Sequence, residues 1–460
     1  MCWPTQTRVA KGGATHAATH QHPSAAAADS HAQSGSRWGR HQAPQSSWHH
    51  RDVNTFFADT ANVPAPATAK ELADLVAGLH AAATPWLPCG LGSRLQWGPP
   101  VEMPSQPISV SGLNRILDHA VDDLTITVEA GLPLAELQMA LKEHHQWLAV
   151  NWPRGSQANT DPNSAGSVGG LVARGLAGGL RQRHLGIRDQ LIGIGLLRSD
   201  GIAAHAGGRV VKNVAGYDLM RLLCGSWGSL ALITELTLRC QPIRPAHIGL
   251  RLDGSLEALE AWRAALLRTS FTPEYCDWIK TDLENWHLNI GVASVSDQAV
   301  NDQIGHLKAL ANQHQLGTKQ LDWLGPHQEP HPSEGSFDSS HWLVRVALQP
   351  SNIHRLIASK ELQALNGWHW QLAAGAGIGD GWQISPANAK GISQSEDLNA
   401  LRHEIARLGG QLTLLQQPSQ AGDRLPAWLD APSKPLIEAV KQQFDPKQQL
   451  ARGRLPGVRG

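Results

Sequence analysis

The sequence lacks an excess of either charge, and it lacks any long hydrophobic run. Its 460 residues carry 39 basic and 39 acidic side chains, so the formal net charge is zero. A protein that binds nucleic acid usually shows a basic excess or a basic stripe, so we expect no nucleic-acid partner. No apolar run approaches the roughly 18 residues that a membrane-spanning helix needs, so we expect no transmembrane segment.

Cysteine, phenylalanine and tyrosine are also scarce. The five cysteines, at positions 2, 89, 224, 240 and 276, form no CxxC pair, so we expect no iron–sulfur or zinc site within this chain. Their odd number and wide spacing are typical of reduced thiols in a cytoplasm. Phe occurs 5 times and Tyr 2 times against 17 Trp, so Trp is expected to supply much of the aromatic core.

The first 55 residues differ in composition from the rest of the chain. They are rich in Ala, His, Ser and Gln without hydrophobic periodicity, and they cannot bury enough apolar surface to offset the entropy of ordering. We therefore expect a disordered, low-complexity extension over residues 1–55, without the apolar stretch of a secretory signal. The alternative is a metal-binding tail, because seven histidines occur at positions 16, 20, 22, 31, 41, 49 and 50.

Local patterns in the remaining chain indicate helices mixed with short strands. Thr68 and Glu71 form a capping-box pattern ahead of apolar residues at helical spacing, which predicts a helix. Asp200-Gly201 is a hairpin turn signal. Further helices are predicted over 256–267 and 302–314, and strands over 86–88, 124–129, 190–197, 202–206, 230–238 and 341–348. This mixture predicts the α+β class.

A glycine-containing loop follows the strand predicted at 86–88. It reads Pro88-Cys-Gly-Leu-Gly-Ser93, and its two glycines let the backbone turn so tightly that successive N–H groups converge on one anion. A pyrophosphate fits such a loop, but a plain tight turn has the same composition.

Other nucleotide-binding and hydrolase motifs are not matched. Gly193-Ile-Gly195 is followed by Arg198 where a dinucleotide fingerprint needs a third glycine. The glycines between Gly375 and Gly381 also miss that spacing. Neither a GxxxxGK[ST] phosphate loop nor a GxSxG nucleophile elbow occurs.

Two later stretches are rich in small residues. The first runs from Asp161 to Gly170, where a flat ring or a ribose could lie against the backbone. A glycine-rich helix start packed closely on a strand explains it equally well. The second runs from Gly207 to Asp218 and continues into Gly225-Ser-Trp-Gly228.

In their order and spacing, these three stretches resemble the FAD-binding domain of the vanillyl-alcohol oxidase, or PCMH-type, family. Within it they are most similar to the FAD-binding E subunits of bacterial glycolate oxidase, also called glycolate dehydrogenase. The resemblance covers about 64–242 and returns at Phe444-Asp-Pro446 and Gly453-Arg454. It implies a PCMH-type FAD-binding domain of two α+β subdomains over residues 64–243. A C-terminal α+β cap-like domain over 244–460 would follow, with its last residues returning to the flavin.

The resemblance also implies which residues hold the cofactor. Those implied to cradle the pyrophosphate are Gly90, Leu91, Gly92, Ser93 and Arg94. Those implied to lie along the flavin and its ribityl chain are Ser167, Val168, Gly169 and Gly170. A further cofactor-facing turn is implied at Gly186, Ile187, Arg188 and Asp189, and a backbone contact at Ile233. Lys212 and Asp218 are interpreted as an internal polar pair that holds a turn, not as catalysts.

The chain departs from the family in three places. Its C-terminal signature reads Ala451-Arg-Gly-Arg454, without the Asn that usually opens it. The glycine loop has no His of the kind that attaches flavin covalently, so we expect noncovalent FAD. The related catalytic D subunit carries a His-rich signature in its cap domain, whereas the stretch Gly375 to Trp382 here has no His. Oxidation of a hydroxy acid needs a base for the hydroxyl and a cation for the carboxylate, yet the sequence identifies no catalytic base. Arg454 is its candidate for the cation.

The resemblance favours an FAD-dependent oxidoreductase that oxidises glycolate or a similar small 2-hydroxy acid to the 2-oxo acid. Such a chain would act with a second flavin subunit and an iron–sulfur subunit of a glycolate oxidase-type complex. It would be cytoplasmic, with any contact to the inner face of a membrane made through those partners. The alternatives are a stand-alone FAD-dependent 2-hydroxy-acid dehydrogenase and a non-catalytic assembly subunit of such a complex.

Overall fold

The computed structural model describes residues 63–102, 104–156, 161–208, 218–281, 285–323, 325, 340–383, 391–418 and 424–458. The extension predicted over 1–55 and the predicted partner Lys212 lie outside the described residues. Asp218 is described, and its carboxylate lies 3.3 Å from Nε of Arg221. Within the described ranges, no helix is long and apolar enough to cross a membrane.

Helices and strands alternate irregularly along the described chain. The helices are α1 (Ala69–Ala81), α2 (Leu134–Lys142), α3 (Val168–Arg174), α4 (Arg181–His184), α5 (Ile187–Gln190), α6 (Leu219–Leu223), α7 (Leu256–Leu266), α8 (Asp297–Gln313), α9 (Ile353–Ile357), α10 (Lys360–Gln363), α11 (Gly391–Arg407) and α12 (Lys434–Phe444). The strands are β1 (Trp86–Cys89), β2 (Gln106–Ser109), β3 (Ile116–Ala120), β4 (Thr125–Glu129), β5 (Gln146–Trp147), β6 (Leu191–Leu197), β7 (Ala203–Gly207), β8 (Leu232–Arg239), β9 (Gln241–Pro242), β10 (Ala246–Asp253), β11 (Tyr275–Lys280), β12 (His287–Ser294), β13 (Gly317–Leu321), β14 (Leu343–Ala347), β15 (Trp368–Ala373), β16 (Ile378–Gln383) and β17 (Gln411–Gln416).

The helix predicted from the capping-box pattern is confirmed as α1. The Thr68 hydroxyl accepts a hydrogen bond from the backbone N–H of Glu71 at 3.2 Å, which satisfies one donor that the helix itself cannot pair. Leu72 and Val76, one turn apart, are fully buried. The apolar face of α1 therefore packs into the core that surrounds the first two sheets.

Two sheets share this first core. Strands β1 and β2 pair in parallel, and five antiparallel strands form a sheet in the order β3-β4-β8-β6-β7. The predicted hairpin is confirmed between β6 and β7, where Gly201 adopts a φ of 82° that suits glycine. The central strand β8 has Leu236 and Leu238 fully buried. This core positions the glycine loop that leaves β1.

A second, larger sheet contains eight antiparallel strands in the order β13-β10-β12-β11-β15-β16-β14-β17. One face packs under apolar residues of α7, α8 and α11, such as Trp262, Ile304 and Leu401. The sheet contributes Trp278 and Trp370 to this second core, and both are fully buried. The prediction that Trp supplies much of the aromatic core is confirmed here.

Alternation along the strands decides which side chains face away from the second core. Because successive side chains in a strand point to opposite faces, Arg345 lies opposite to its buried neighbours Val344 and Val346. Gln371 and Asp277 occupy the same outer face, since Trp370 and Trp278 occupy the inner one. This outer face carries polar residues toward the first core.

The C-terminal segment returns to the first core. Leu450 forms a parallel bridge with Trp86 at the start of β1, and the backbone N–H of Ala451 donates to the carbonyl of Trp86 at 2.9 Å. Leu450 is fully buried. The residues after α12 are thereby fixed beside the strand that leads into the glycine loop.

Candidate functional site

A deep cleft lies where the glycine loop of the first core meets the outer face of the eight-stranded sheet. Nine of the twelve residues predicted to bind the cofactor line it, namely Gly90, Leu91, Gly92, Ser93, Arg94, Ser167, Gly169, Gly170 and Ile233. These residues come from three separate parts of the chain. The structure therefore brings most of the predicted site to one place.

The glycine loop begins at Gly90, directly after β1, and the neighbouring strand β2 holds its first residue in place. The Ser109 hydroxyl at the end of β2 donates to the carbonyl of Gly90 at 2.8 Å, which holds the start of the loop. Gly92 adopts a φ of 77°, a conformation that favours glycine. A Cβ at Gly90 would lie 2.0 Å from Oγ of Ser167. A side chain at position 90 would therefore fill the space in which the glycine loop approaches Ser167.

Ser167 begins α3 at the back of the cleft. Its hydroxyl accepts a hydrogen bond from the backbone N–H of Gly170 at 3.1 Å, as an N-cap residue does. Gly169 packs closely against Ala130, the residue that follows β4. A Cβ at position 169 would lie 2.7 Å from Cβ of Ala130. The small residues are thus needed for close helix–strand packing as well as for an open cleft floor.

Three of the predicted cofactor residues lie elsewhere. Val168 is fully buried in the first core. Gly186 and Ile187 line a separate small cavity that also includes Leu180, and the carboxylate of Asp189 accepts from the N–H of Gly186 at 3.3 Å. Their contact with the cofactor stays a prediction.

Three arginines surround the glycine-loop end of the cleft. Arg94 and Arg454 are buried, Arg174 is half-buried, and all three line the cleft. Arg94 donates to the carbonyl of Ser164 at 2.7 Å, and Arg454 donates to the carbonyl of Leu95. Among the described residues, none of the three has a carboxylate within ion-pair distance.

Burial of these guanidinium groups changes their acidity. Burial lowers the pKa of Arg94 to about 9 and that of Arg454 to about 9, and the charge of Arg174 acts in the same direction on both. Burial lowers the pKa of Arg174 to about 10. The Nε atom of each is shielded from solvent and has no hydrogen-bond partner among the described residues. Buried cations without a counterion are costly, so this end of the cleft fits an anion such as a diphosphate.

The opposite wall belongs to the outer face of the second sheet. Arg345 on β14 forms a two-point pair with Asp380 on β16, with N–O distances of 2.8 and 3.1 Å. The Gln371 side chain on β15 donates to Asp277 on β11 at 2.8 Å. Arg154, from the first half of the chain, donates to Gln371 Oε1 at 2.8 Å. Cross-strand pairing places these side chains beside one another, because residue 371 lies opposite residue 380, and residue 380 opposite residue 345.

Asp277 is a deeply buried carboxyl group in this wall. It is 1% exposed, and burial raises its pKa to about 6, although the Gln371 hydrogen bond and the charge of Arg154 act in the opposite direction. A carboxyl group that titrates near neutral pH can accept and release a proton.

Sequence reasoning missed this second wall. The stretch Gly375 to Trp382 stands out in the sequence only for its glycine spacing and its lack of His, yet it includes the turn between β15 and β16 and carries Asp380 to the cleft. A polar residue flanked by buried apolar ones, as in Val344-Arg-Val346, was a usable signal for an outer-face position. Among the described residues, no group of three or more His, Cys, Asp or Glu side chains could hold a metal ion.

Comparison with known proteins agrees with this arrangement. Residues 60–207 match a family model described as an FAD binding domain. The chain is 34% identical over 174 residues to the glycolate oxidase subunit GlcE of Escherichia coli, covering 38% of this chain and 47% of that protein. It is 28% identical over 211 residues to a mitochondrial D-lactate dehydrogenase (cytochrome) of Arabidopsis thaliana, covering 45% of this chain and 34% of that protein. The matched region therefore spans less than half of the length of either relative.

A solved structure resembles most of this chain in fold. Alkyldihydroxyacetonephosphate synthase superposes with a TM-score of 0.58 at 14% identity, covering 85% of this chain and 76% of that chain. The predicted α+β fold of the PCMH type is confirmed. FAD is confirmed as the cofactor class of the matched domain, and its diphosphate fits the glycine-lined loop and the three arginines that form no ion pair with the described part of the chain.

Proposed function

From an FAD binding domain that spans residues 60–207, we propose that this chain is an FAD-dependent oxidoreductase acting on small 2-hydroxy acids such as glycolate. It converts the hydroxy acid to the 2-oxo acid. Relatives named as a glycolate oxidase subunit and a D-lactate dehydrogenase support this substrate class.

The observation that carries the proposal is the two-walled cleft. Its glycine-loop wall offers Arg94, Arg174 and Arg454 to an anionic cofactor, and its second wall offers Asp277 and Arg154 to a substrate. The chemistry that FAD supplies when bound is the acceptance of two electrons from a substrate carbon. The residues of the chain bind and orient both molecules in this cleft.

We further propose that the chain works as one subunit of a glycolate oxidase-type complex, beside a second flavin subunit and an iron–sulfur subunit. The relative from Escherichia coli is named as a subunit, which supports a role that depends on partners. Electrons taken from the substrate must leave the flavin, and an iron–sulfur subunit would carry them onward.

Anaerobic mixing of the purified, flavin-loaded chain with glycolate, and separately with D-lactate, tests the proposal. Loss of the oxidised-flavin absorption in the presence of the proposed partners is the expected result. Bleaching of the isolated chain at the same rate would favour a stand-alone dehydrogenase. A folded, colourless chain that still assembles with its partners would contradict the enzymatic function and favour an assembly subunit.

A further inference from the structure

One carboxylate oxygen in the cleft is buried and has no partner among the described residues. Asp277 Oδ2 accepts from Gln371 at 2.8 Å, but Oδ1 is shielded from solvent and makes no hydrogen bond. A Cβ at Gly179 would lie 2.4 Å from Oδ1, so the chain can pass this close to the oxygen only with glycine at position 179. Both Asp277 and Gly179 line the cleft. Leaving a buried acceptor unpaired is unfavourable, which points to a ligand that supplies the missing donor.

We propose that Asp277 accepts the hydroxyl proton of a 2-hydroxy acid whose carboxylate is held by Arg154, a role that rests on the proposed function. The O–H bond breaks and its proton goes to Oδ1. The C–H bond breaks as a hydride, for which bound FAD is the oxidant, and a C=O bond forms. The substrate loses two electrons and the flavin gains them.

The second aspartate in this wall has a different role. Both oxygens of Asp380 are paired with Arg345, and Arg154 lies 3.9 Å away. Both Asp380 oxygens are therefore already occupied by guanidinium donors, and neither is left for a substrate hydroxyl. Asp380 is therefore a positioning residue that orients the arginines, whereas Asp277 forms no ion pair among the described residues.

The spacing of the two groups suits adjacent substituents on a small molecule. Arg154 and Asp277 are joined through a single amide, because Gln371 accepts from Arg154 at 2.8 Å and donates to Asp277 at 2.8 Å. The Arg154 guanidinium also stacks on the ring of Trp382, 3.9 Å from its centroid, which fixes its plane. A 2-hydroxy acid carries its hydroxyl and carboxylate on neighbouring carbons, so both can be bound at once.

The charge of the cleft also favours an anionic substrate in addition to the cofactor. Five arginines and two aspartates line it, an excess of three positive charges when all are ionised. The diphosphate of FAD neutralises part of this excess, and a substrate carboxylate would neutralise more.

The variant Asp277→Asn tests the proton acceptor, and Asp302→Asn, on the exposed face of α8, is the matched control. We expect Asp277→Asn to retain FAD and to be reduced normally by dithionite. Its anaerobic reduction by glycolate or D-lactate should be slower by about 100-fold to 10,000-fold, the usual contribution of a general base. In the wild type, this rate should rise with pH through about 6, and the rise should be absent in the variant. Arg154 is the charged group that acts on Asp277 and lowers its pKa, while the charge of Asp277 raises the pKa of its strand neighbours Tyr275 and Cys276.

Binding of oxalate, which has two carboxylates but no C–H bond to oxidise, gives a second readout that does not depend on turnover. Measured by perturbation of the flavin spectrum at pH 8, oxalate binding should be tighter in Asp277→Asn than in the wild type, because a like charge is removed. Replacing the cation in Arg154→Gln should weaken it at least about 10-fold.

The outcomes separate the two proposals. Reduction of Asp277→Asn at the wild-type rate would overturn the role of Asp277 and leave the proposed function intact. Oxalate binding with the same affinity and the same pH dependence in the wild type and in Asp277→Asn would also overturn the role of Asp277. If neither hydroxy acid reduces the wild-type flavin while Asp277→Asn alters oxalate binding, the proposed substrate is wrong. The place of Asp277 in the ligand site would then still be supported.

Discussion

Replacement of one buried lysine should loosen the C-terminal segment from the first core. Lys441 on α12 donates at 2.7 Å to three acceptors, the carbonyls of Ser229 and Leu450 and the carboxylate of Asp445. Burial lowers the pKa of Lys441, while the charge of Asp445 acts in the opposite direction. The lysine therefore connects three segments: the end of α12 at Asp445, the segment before β8 at Ser229, and the C-terminal residues beside β1 at Leu450.

The expected cost follows from what Lys441→Met would leave behind. Asp445 is 0% exposed, and removing one partner of a buried ion pair typically costs about 3–5 kcal/mol. Asp445 would keep its bonds from the N–H groups of Gln449 and Leu450, at 3.1 and 2.8 Å. These bonds moderate the loss, so we expect the free energy of unfolding to fall by about 3 kcal/mol. FAD retention should fall as well, because Arg454 enters the cleft from the same segment.

Urea unfolding followed by tryptophan fluorescence measures the first effect, and release of flavin fluorescence measures the second. Lys434→Met is the matched control, since it makes the same substitution on the same helix. Lys434 is only half-buried, 3.2 Å from Asp430 and 3.9 Å from Glu438, and such solvent-accessible pairs contribute about 1 kcal/mol or less. Equal losses in the two variants would refute the assignment of Lys441 as a buried anchor.

Three further predictions concern the cofactor and the second wall. Acid precipitation should release FAD to the supernatant, because the loop from Gly90 has no His for covalent attachment; yellow colour in the pellet would contradict this. Gly92→Asp should abolish FAD binding without changing the circular dichroism spectrum, because it adds a β-carbon and a negative charge where the loop should approach phosphate. The control Gln96→Asn should keep its FAD. Stoichiometric FAD in Gly92→Asp would show the loop to be only a turn. The buried Asp277 has its pKa raised from 3.8 to about 6, so the stability it contributes is present below pH 3.8 and lost as pH rises through 6. Asp277→Asn should therefore be more stable than the wild type at pH 8, by up to about 3 kcal/mol, with the difference vanishing near pH 4 in thermal unfolding; an equal gain at both pH values would contradict the shifted pKa.

Neighbouring residues in the sequence were sufficient to predict many local elements and one wall of the site. The cap at Thr68, the turn at Gly201 and the loop from Gly90 to Arg94 each depend on residues within a few positions of one another. Caps, turns and side-chain periodicity are local properties of the backbone, so they can be predicted without knowledge of tertiary contacts. The family resemblance then assigned a cofactor to that loop, which composition alone left open.

The second wall was decided by tertiary structure alone. Asp277 and Gln371 are 94 positions apart, and Arg154 and Gln371 are 217 positions apart. Asp277 and Gln371 meet because β11 and β15 are adjacent in one sheet with a particular register, and Arg154 reaches Gln371 from the segment that follows β5. A slip of one residue would turn Gln371 toward the tryptophan core and leave Asp277 without its partner, since side chains alternate with a period of two. Strand order and register depend on packing across the whole sheet, and no short stretch of sequence contains that information.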